Sequence, residues 1–167
     1  RHNYIDDVGA YGGSGNQATY NNGTDQVTVD HNTFRNAVGD GVRDEGGAAH
    51  TNWIYRNNIN QNDVVSLIAG TKCGTAALNE MAPTRVFSKN VLVGAIATYT
   101  GTDLSQNFFP GSITLNADGS LPAGSPYENQ ATDGTNIGAN FTTLYGTGSG
   151  IGRYGSGVNE FYAYTGQ

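Results

Sequence analysis

The stretch Val27–Asn36 reads VTVDHNTFRN: an apolar strand pattern, an asparagine, then a second strand pattern. The same shape returns in Arg1-His2-Asn3-Tyr4-Ile5, in Arg56-Asn57-Asn58-Ile59 and in Ser88-Lys89-Asn90-Val91-Leu92. The aligned asparagines, Asn3, Asn32, Asn58 and Asn90, stand 29, 26 and 32 residues apart. That spacing is irregular but within the length of one solenoid turn. Strand-like runs precede three of them, Val27-Thr28-Val29, Trp53-Ile54-Tyr55 and Val86-Phe87-Ser88, and an apolar residue follows each: Ile5, Phe34, Ile59 and Leu92.

A strand, a one-residue bend and another strand, repeated in this way, describe one coil of a parallel β-helix. A single coil cannot bury its apolar face alone, so coils must stack. Asparagine suits the bend because it tolerates left-handed backbone geometry, and its amide can bond the amide of the next coil. Asn3, Asn32, Asn58 and Asn90 are therefore expected to form a structural ladder. Insertions would bulge out as loops, the longest from Asp63 to Thr84. Neighbouring columns agree with this register. Two positions before the asparagine stand Arg1, Asp30 and Arg56; three positions after it stand Asp6 and Arg35. These alternate in sign and read as surface charge ladders. Val29, Tyr55 and Phe87, three positions before it, read as an inward apolar stack.

Composition points the same way. The 167 residues include 25 Gly, 19 Asn and only 4 Pro, with 13% charged residues. That charged share is about half of what a globular domain carries, and the mixture favours short strands and tight turns over helices. The net charge of −6 and a pI near 4.7 leave no basic footprint for nucleic acid. No apolar run is long enough to span a membrane. Cys73 stands alone, so no intrachain disulfide is expected, and with no partner base in view it is not read as a nucleophile. The chain starts at Arg1 without a signal-peptide pattern, which reads as a mature, processed or truncated chain. Asn22-Gly23-Thr24 and Asn140-Phe141-Thr142 match the N-glycosylation pattern.

From Asn107 the pattern changes. Ser125-Pro126-Tyr127 and Asp133-Gly134-Thr135-Asn136-Ile137-Gly138-Ala139 resemble the closing coils of bacterial right-handed parallel β-helix proteins of the pectate-lyase-like superfamily. Arg85 to Ala95, RVFSKNVLVGA, resembles their penultimate coils. The resemblance covers residues 1–144, and Asn136 stands where the closing motif often has Asp. It implies an all-β fold: a right-handed, single-stranded parallel β-helix of about five or six coils. Gly134 and Gly138 suit tight turns. Asp133 is expected to bond turn amides, with a calcium role as the competing reading.

Residues 145–167, YGTGSGIGRYGSGVNEFYAYTGQ, form a separate Gly/Tyr-rich tail. Tyr154, Phe161, Tyr162 and Tyr164 are the expected anchors, packing on this chain or on a neighbouring copy. The first coil begins at its bend, so either upstream coils are missing or a homo-oligomeric partner covers that edge. Head-to-tail stacking of copies would give a fibre.

Chemistry is sparse. In Gly39-Asp40-Gly41-Val42-Arg43-Asp44-Glu45, the carboxylates of Asp40, Asp44 and Glu45 are candidate calcium ligands, and Arg43 could steady a sugar carboxylate. The favoured reading is a solvated glycine-rich loop with a local Arg43–carboxylate pair. Asp6 and Asp7 are adjacent on a strand, so they point to opposite faces and do not form a catalytic pair. His2 and His31 share a column and are expected to stack, while His50 sits alone in a loop. Trp53 and the ten tyrosines could form sugar platforms, but Trp53 lies in a repeat strand and reads as packing. No catalytic or substrate-binding residue is assigned.

The first expectation is an extracellular or cell-surface structural module, self-assembling end to end into a filament or surface layer. It requires no cofactor, with calcium the one candidate. A polysaccharide lyase or glycoside hydrolase whose catalytic coils lie upstream is the second reading. A non-catalytic carbohydrate-binding module is the third.

Overall fold

Short strands dominate the computed structural model, which describes residues 1–6, 18–20, 22–35, 41–61, 67–94 and 96–141. The strands are β1 (Tyr4–Asp6), β2 (Ala18–Tyr20), β3 (Thr28–Asp30), β4 (Thr33–Arg35), β5 (Val42–Asp44), β6 (Trp53–Arg56), β7 (Ile59–Asn60), β8 (Leu67–Ala69), β9 (Lys72–Cys73), β10 (Arg85–Ser88) and β11 (Val91–Leu92). They make three sheets, ordered β1-β4-β7-β11, β3-β6-β10 and β2-β5-β8-β9. Every pairing is parallel except β8 with β9. The chain visits the first, third and second sheets in rotation and returns to the first one strand further along. Register holds row to row: Ile5, Phe34 and Asn60 are successive partners, as are Val29, Tyr55 and Phe87.

The bend between second and first sheets falls one residue earlier than the sequence pattern placed it. His2, His31, Asn57 and Lys89 carry the left-handed backbone, with φ of 55°, 55°, 57° and 57°. The asparagine that follows each is free of that strain. Its side chain serves the row rather than the turn.

The inner core is an aromatic column. Trp53, Tyr55, Phe87, Tyr99 and Phe109 follow one another with ring centroids 4.9–5.9 Å apart. Val42, Leu67, Leu78 and Leu92 fill the space around them. The Asp63–Thr84 insertion is not only loop. Its described part supplies β8 to the third sheet and an α-helix, α1 (Gly74–Met81), that buries Ala77, Leu78 and Met81. These three recur at helical spacing, a signal that strand-length patterning passed over.

After β11 and a short helix α2 (Gly101–Ser105), the expected closing coils do not appear as strands. Phe108 still bridges Val91, but residues 109–141 hold turns and no strand among the described residues. Pro110, Pro122 and Pro126 each lack the N–H that a ladder requires. This segment instead lies on the outer face of the first sheet, where Ala131, Ile137, Phe108, Ile113, Leu115, Leu121 and Tyr127 cover Ile59, Val91 and Val93.

Its last residues cross the rows in reverse. Gly138 N–H donates to the Asn57 carbonyl (2.8 Å) and Ala139 N–H to Thr33 Oγ1 (2.9 Å). Asn140 N–H then donates to His2 Nδ1 (3.4 Å), and the Phe141 ring lies edge-on to Tyr4 at 5.5 Å. Gly138 has φ +91°, and a Cβ there would sit 2.6 Å from Ile59 Cδ1 and 2.7 Å from Thr33 Oγ1. Only glycine lets the segment approach the sheet this closely.

Candidate functional site

Asn3, Asn32, Asn58 and Asn90 stand in one row. Each donates its backbone N–H and its amide N–H to Oδ1 of the next, at 2.9–3.0 Å. The row continues to Asn107, which the sequence reading missed because only 17 residues separate it from Asn90. The second amide hydrogen also follows a rule. Asn58, Asn90 and Asn107 give it to the carbonyls of Val29, Tyr55 and Phe87, each three residues before the asparagine one row earlier. Asn58 and Asn90 are wholly buried, so these bonds replace the water that their amides would otherwise need.

The row has a direction, and its two ends differ. At one end Asn107 donates to the Asp103 carbonyl in α2 (2.8 Å), which closes the series. At the other, Asn3 is exposed, and no donor among the described residues reaches its Oδ1.

Beside the row, Asp30 and His31 form a polar hub. The column Arg1, Asp30, Arg56 is ion-paired, with Arg1 Nη2 at 2.8 Å and Arg56 Nη2 at 3.2 Å from Asp30 Oδ2. It is not a surface ladder, because Asp30 is wholly buried. Burial pulls the Asp30 carboxyl up, but hydrogen bonds from Asn57 and Arg56 and the charge of His31 outweigh it and leave it below the usual range. Asn57 gives its two amide hydrogens to Asp30 Oδ1 (2.8 Å) and Thr132 Oγ1 (2.9 Å), and accepts from Thr132 N–H (2.9 Å). His31, also buried, directs Nδ1 at the Gly138 carbonyl (3.3 Å) and Nε2 at Asp133 Oδ2 (3.1 Å). Nδ1 thus faces an acceptor, while Nε2 lies between the Asp133 carboxylate and the Asn57 amide nitrogen at 3.2 Å. The Asp133 carboxyl is held down at about 2, chiefly by the Thr135 hydroxyl, with burial opposing and His31 assisting. Asp133 also accepts the Thr135 N–H at 3.1 Å, the turn-amide role expected of it. The His2 ring lies next to His31 in the same column, with centroids 5.0 Å apart and the planes tilted by 32° rather than stacked. The hub ties residues 131–138 to the bends of two rows.

The candidate calcium residues part company. Along β5, Asp44 is buried while Glu45, just after it, is exposed and paired with Arg43 at 2.7 Å. Asp40 lies outside the described residues. His50 does lie in a loop, but it is fully buried, and its Nδ1 accepts the Thr24 N–H at 2.8 Å. Thr24 Oγ1 lies 3.0 Å from the same nitrogen, and Asp44 Oδ1 lies 3.7 Å from Nε2. Hydroxyl, imidazole and carboxylate occur here in catalytic order. However, the Nδ1 lone pair is already committed to a backbone N–H, so it is not available as a general base.

Elsewhere, a shallow depression on β6 and β10 is lined by Asn52, Trp53, Ile54, Thr84, Arg85 and Val86. Its arginine is engaged by Asp103 and Asn79, and Trp53 itself is buried in the core. Asp6 is the register partner of Arg35, whose guanidinium reaches the Tyr4 hydroxyl and the Ala117 carbonyl; Asp7 lies outside the described residues. So do the tail anchors Tyr154, Phe161, Tyr162 and Tyr164. Asn22 and Asn140 are both exposed. Among the described residues no group of three or more His, Cys, Asp or Glu is arranged to hold a metal ion, and no helix is long and apolar enough to cross a membrane. No family model matches the chain, and neither does any curated protein or solved structure.

Proposed function

We propose that the chain is an extracellular structural module built as a right-handed parallel β-helix of the pectate-lyase-like kind. The rotation of the chain among three sheets, parallel in every pairing but β8 with β9, supports the β-helix reading, and the closing-coil motif supports its handedness and kinship. The observation that carries the structural reading is the buried asparagine row. Its amides bond only to one another and to backbone, so the most repeated polar chemistry in the sequence holds rows together. The closed Asn107 end weighs against plain head-to-tail stacking of identical copies, because it offers no amide donor to a neighbour's Asn3. The role that fits is a stiff spacer or scaffold element.

The test is a panel of neutral and acidic polysaccharides, with and without calcium, followed by the appearance of unsaturated uronic products and new reducing ends. The structural reading expects no turnover in either condition. Turnover that depends on Asp44 or Glu45 would replace it with the lyase or hydrolase reading.

A further inference from the structure

The layer at residues 109–141 meets the rows at one buried ring. His31 Nδ1 lies 3.3 Å from the Gly138 carbonyl and Nε2 lies 3.1 Å from Asp133 Oδ2, so each of these bonds needs a proton on the ring nitrogen. Asn57 does not supply the Nε2 proton. Its Oδ1 accepts the Thr132 N–H at 2.9 Å, which fixes the orientation of the amide. Its two Nδ2 hydrogens go to Asp30 Oδ1 at 2.8 Å and Thr132 Oγ1 at 2.9 Å. No hydrogen is left for the longer 3.2 Å contact with Nε2.

A neutral imidazole carries one proton. On Nδ1 it leaves the Nε2 lone pair against a carboxylate; on Nε2 it leaves the Nδ1 lone pair against a carbonyl. The ring is wholly buried, so water cannot relieve either opposition. Only the imidazolium donates from both nitrogens. The charges around the ring suit a cation. Asp133 reaches it from the layer, and Asp30, the preceding residue, has Oδ1 3.7 Å from Nε2. Against these stand His2, with its ring centroid 5.0 Å away, and the guanidiniums of Arg1 and Arg56, both of which are paired with Asp30 Oδ2. Asp133 Oδ1 takes the Thr135 N–H and hydroxyl, which leaves Oδ2 for His31.

We propose that His31 is a cationic latch: its imidazolium holds Asp133 and Gly138 on the rows, and loss of one ring proton as pH rises releases residues 131–139. The latch is closed within a window. Asp133 must be ionised, a condition lost as pH falls through about 2, and His31 must be protonated, a condition lost as pH rises through the titration of the ring. What opens is the apolar face of Ile59, Val91 and Val93. The latch stands independently of whether the module is structural or catalytic.

The test is NMR on the full chain, with pH raised from about 5 until the His31 ring has lost a proton. The ring nitrogen resonances and the amide protection factors of Thr132, Gly138 and Ala139 are followed in the same samples. These three amides donate to Asn57 and Thr33, so they report docking. Two protonated ring nitrogens are expected wherever the layer is protected. Protection should fall roughly tenfold as the proton leaves, while that of Asn58 and Val91 holds. A bare ring nitrogen under a fully protected layer overturns the proposal, as does a ring that titrates with no change in protection. In a second measurement, His31→Asn places there the residue type that carries the same left-handed bend at Asn57. It should lower the three protection factors roughly tenfold and remove their pH dependence over this range. Unchanged protection in this variant, or a pH dependence that persists and so belongs to His2 or another group, also overturns it.

Discussion

The asparagine row and the layer at residues 109–141 are held in opposite ways. In the row, the amide-to-amide bond repeats from Asn3 to Asn107, so the inner members Asn58 and Asn90 have the same kinds of neighbour and the same geometry. In the layer no bond repeats. It is fixed at a few anchors: Thr132 on Asn57, Asp133 on His31 and Gly138 against Ile59. A repeated bond distributes stability along the stack, whereas single anchors concentrate it, so each region should fail in its own manner.

The largest effect is expected for Asn58→Ala. It removes acceptance from the Asn32 backbone and amide and donation to Asn90 and Val29, all inside the stack. With several buried groups left unsatisfied, the loss should be about 3–4 kcal/mol, read from urea unfolding as one cooperative shift. A loss under about 1 kcal/mol would mean that water replaces the row and that the contrast with the layer is false.

Gly138→Ala should cost less, about 2 kcal/mol, from a strained positive φ and a crowded Cβ. The damage should stay local. Amide exchange should rise across residues 131–139 while β7 and β11 keep their protection. Equal loss in the sheet would show that layer and row unfold as one unit.

Acid should loosen the layer before the row. The Asp133 carboxyl is lowered from 3.8 to about 2 in the folded chain. Its contribution is therefore present above pH 3.8 and is lost as pH falls through 2. Asp133→Asn should melt below the parent at neutral pH, and the gap should close over that window.

The smallest effect belongs to His2. Burial, then the neighbouring charges of His31 and Arg1, lower its pKa below 6.5. The unfolded chain then takes up the proton first, so the contribution is complete above pH 6.5 and declines as pH falls below it. His2→Gln should flatten this part of the melting profile. An unchanged slope would remove His2 from the anchors of the layer.

Much of the row was legible in the sequence, and the reason is local. Asparagine at a fixed place relative to two strand patterns, with Val29, Tyr55 and Phe87 in phase, needs no distant partner to be recognised. Even so, the bend was assigned to the asparagine, whereas His2, His31, Asn57 and Lys89 carry it. Side-chain preference does not distinguish a residue that turns from the one that the turn points inward. Asn107 follows Asn90 by too few residues to match the repeat spacing, and α1 lies in an insertion whose helical period is only two turns long.

Composition and periodicity by themselves determined short parallel strands, an inward apolar stack and an asparagine ladder, since these follow from which residue recurs and how far apart. Tertiary structure alone decided that Asp30 is buried, that His31 meets Asp133, that Asp44 and Glu45 face apart, and that the chain returns across its rows to β1. Those contacts join residues about a hundred positions apart or split adjacent ones. They depend on how loops close and which face a strand presents, and no repeat in the sequence records either.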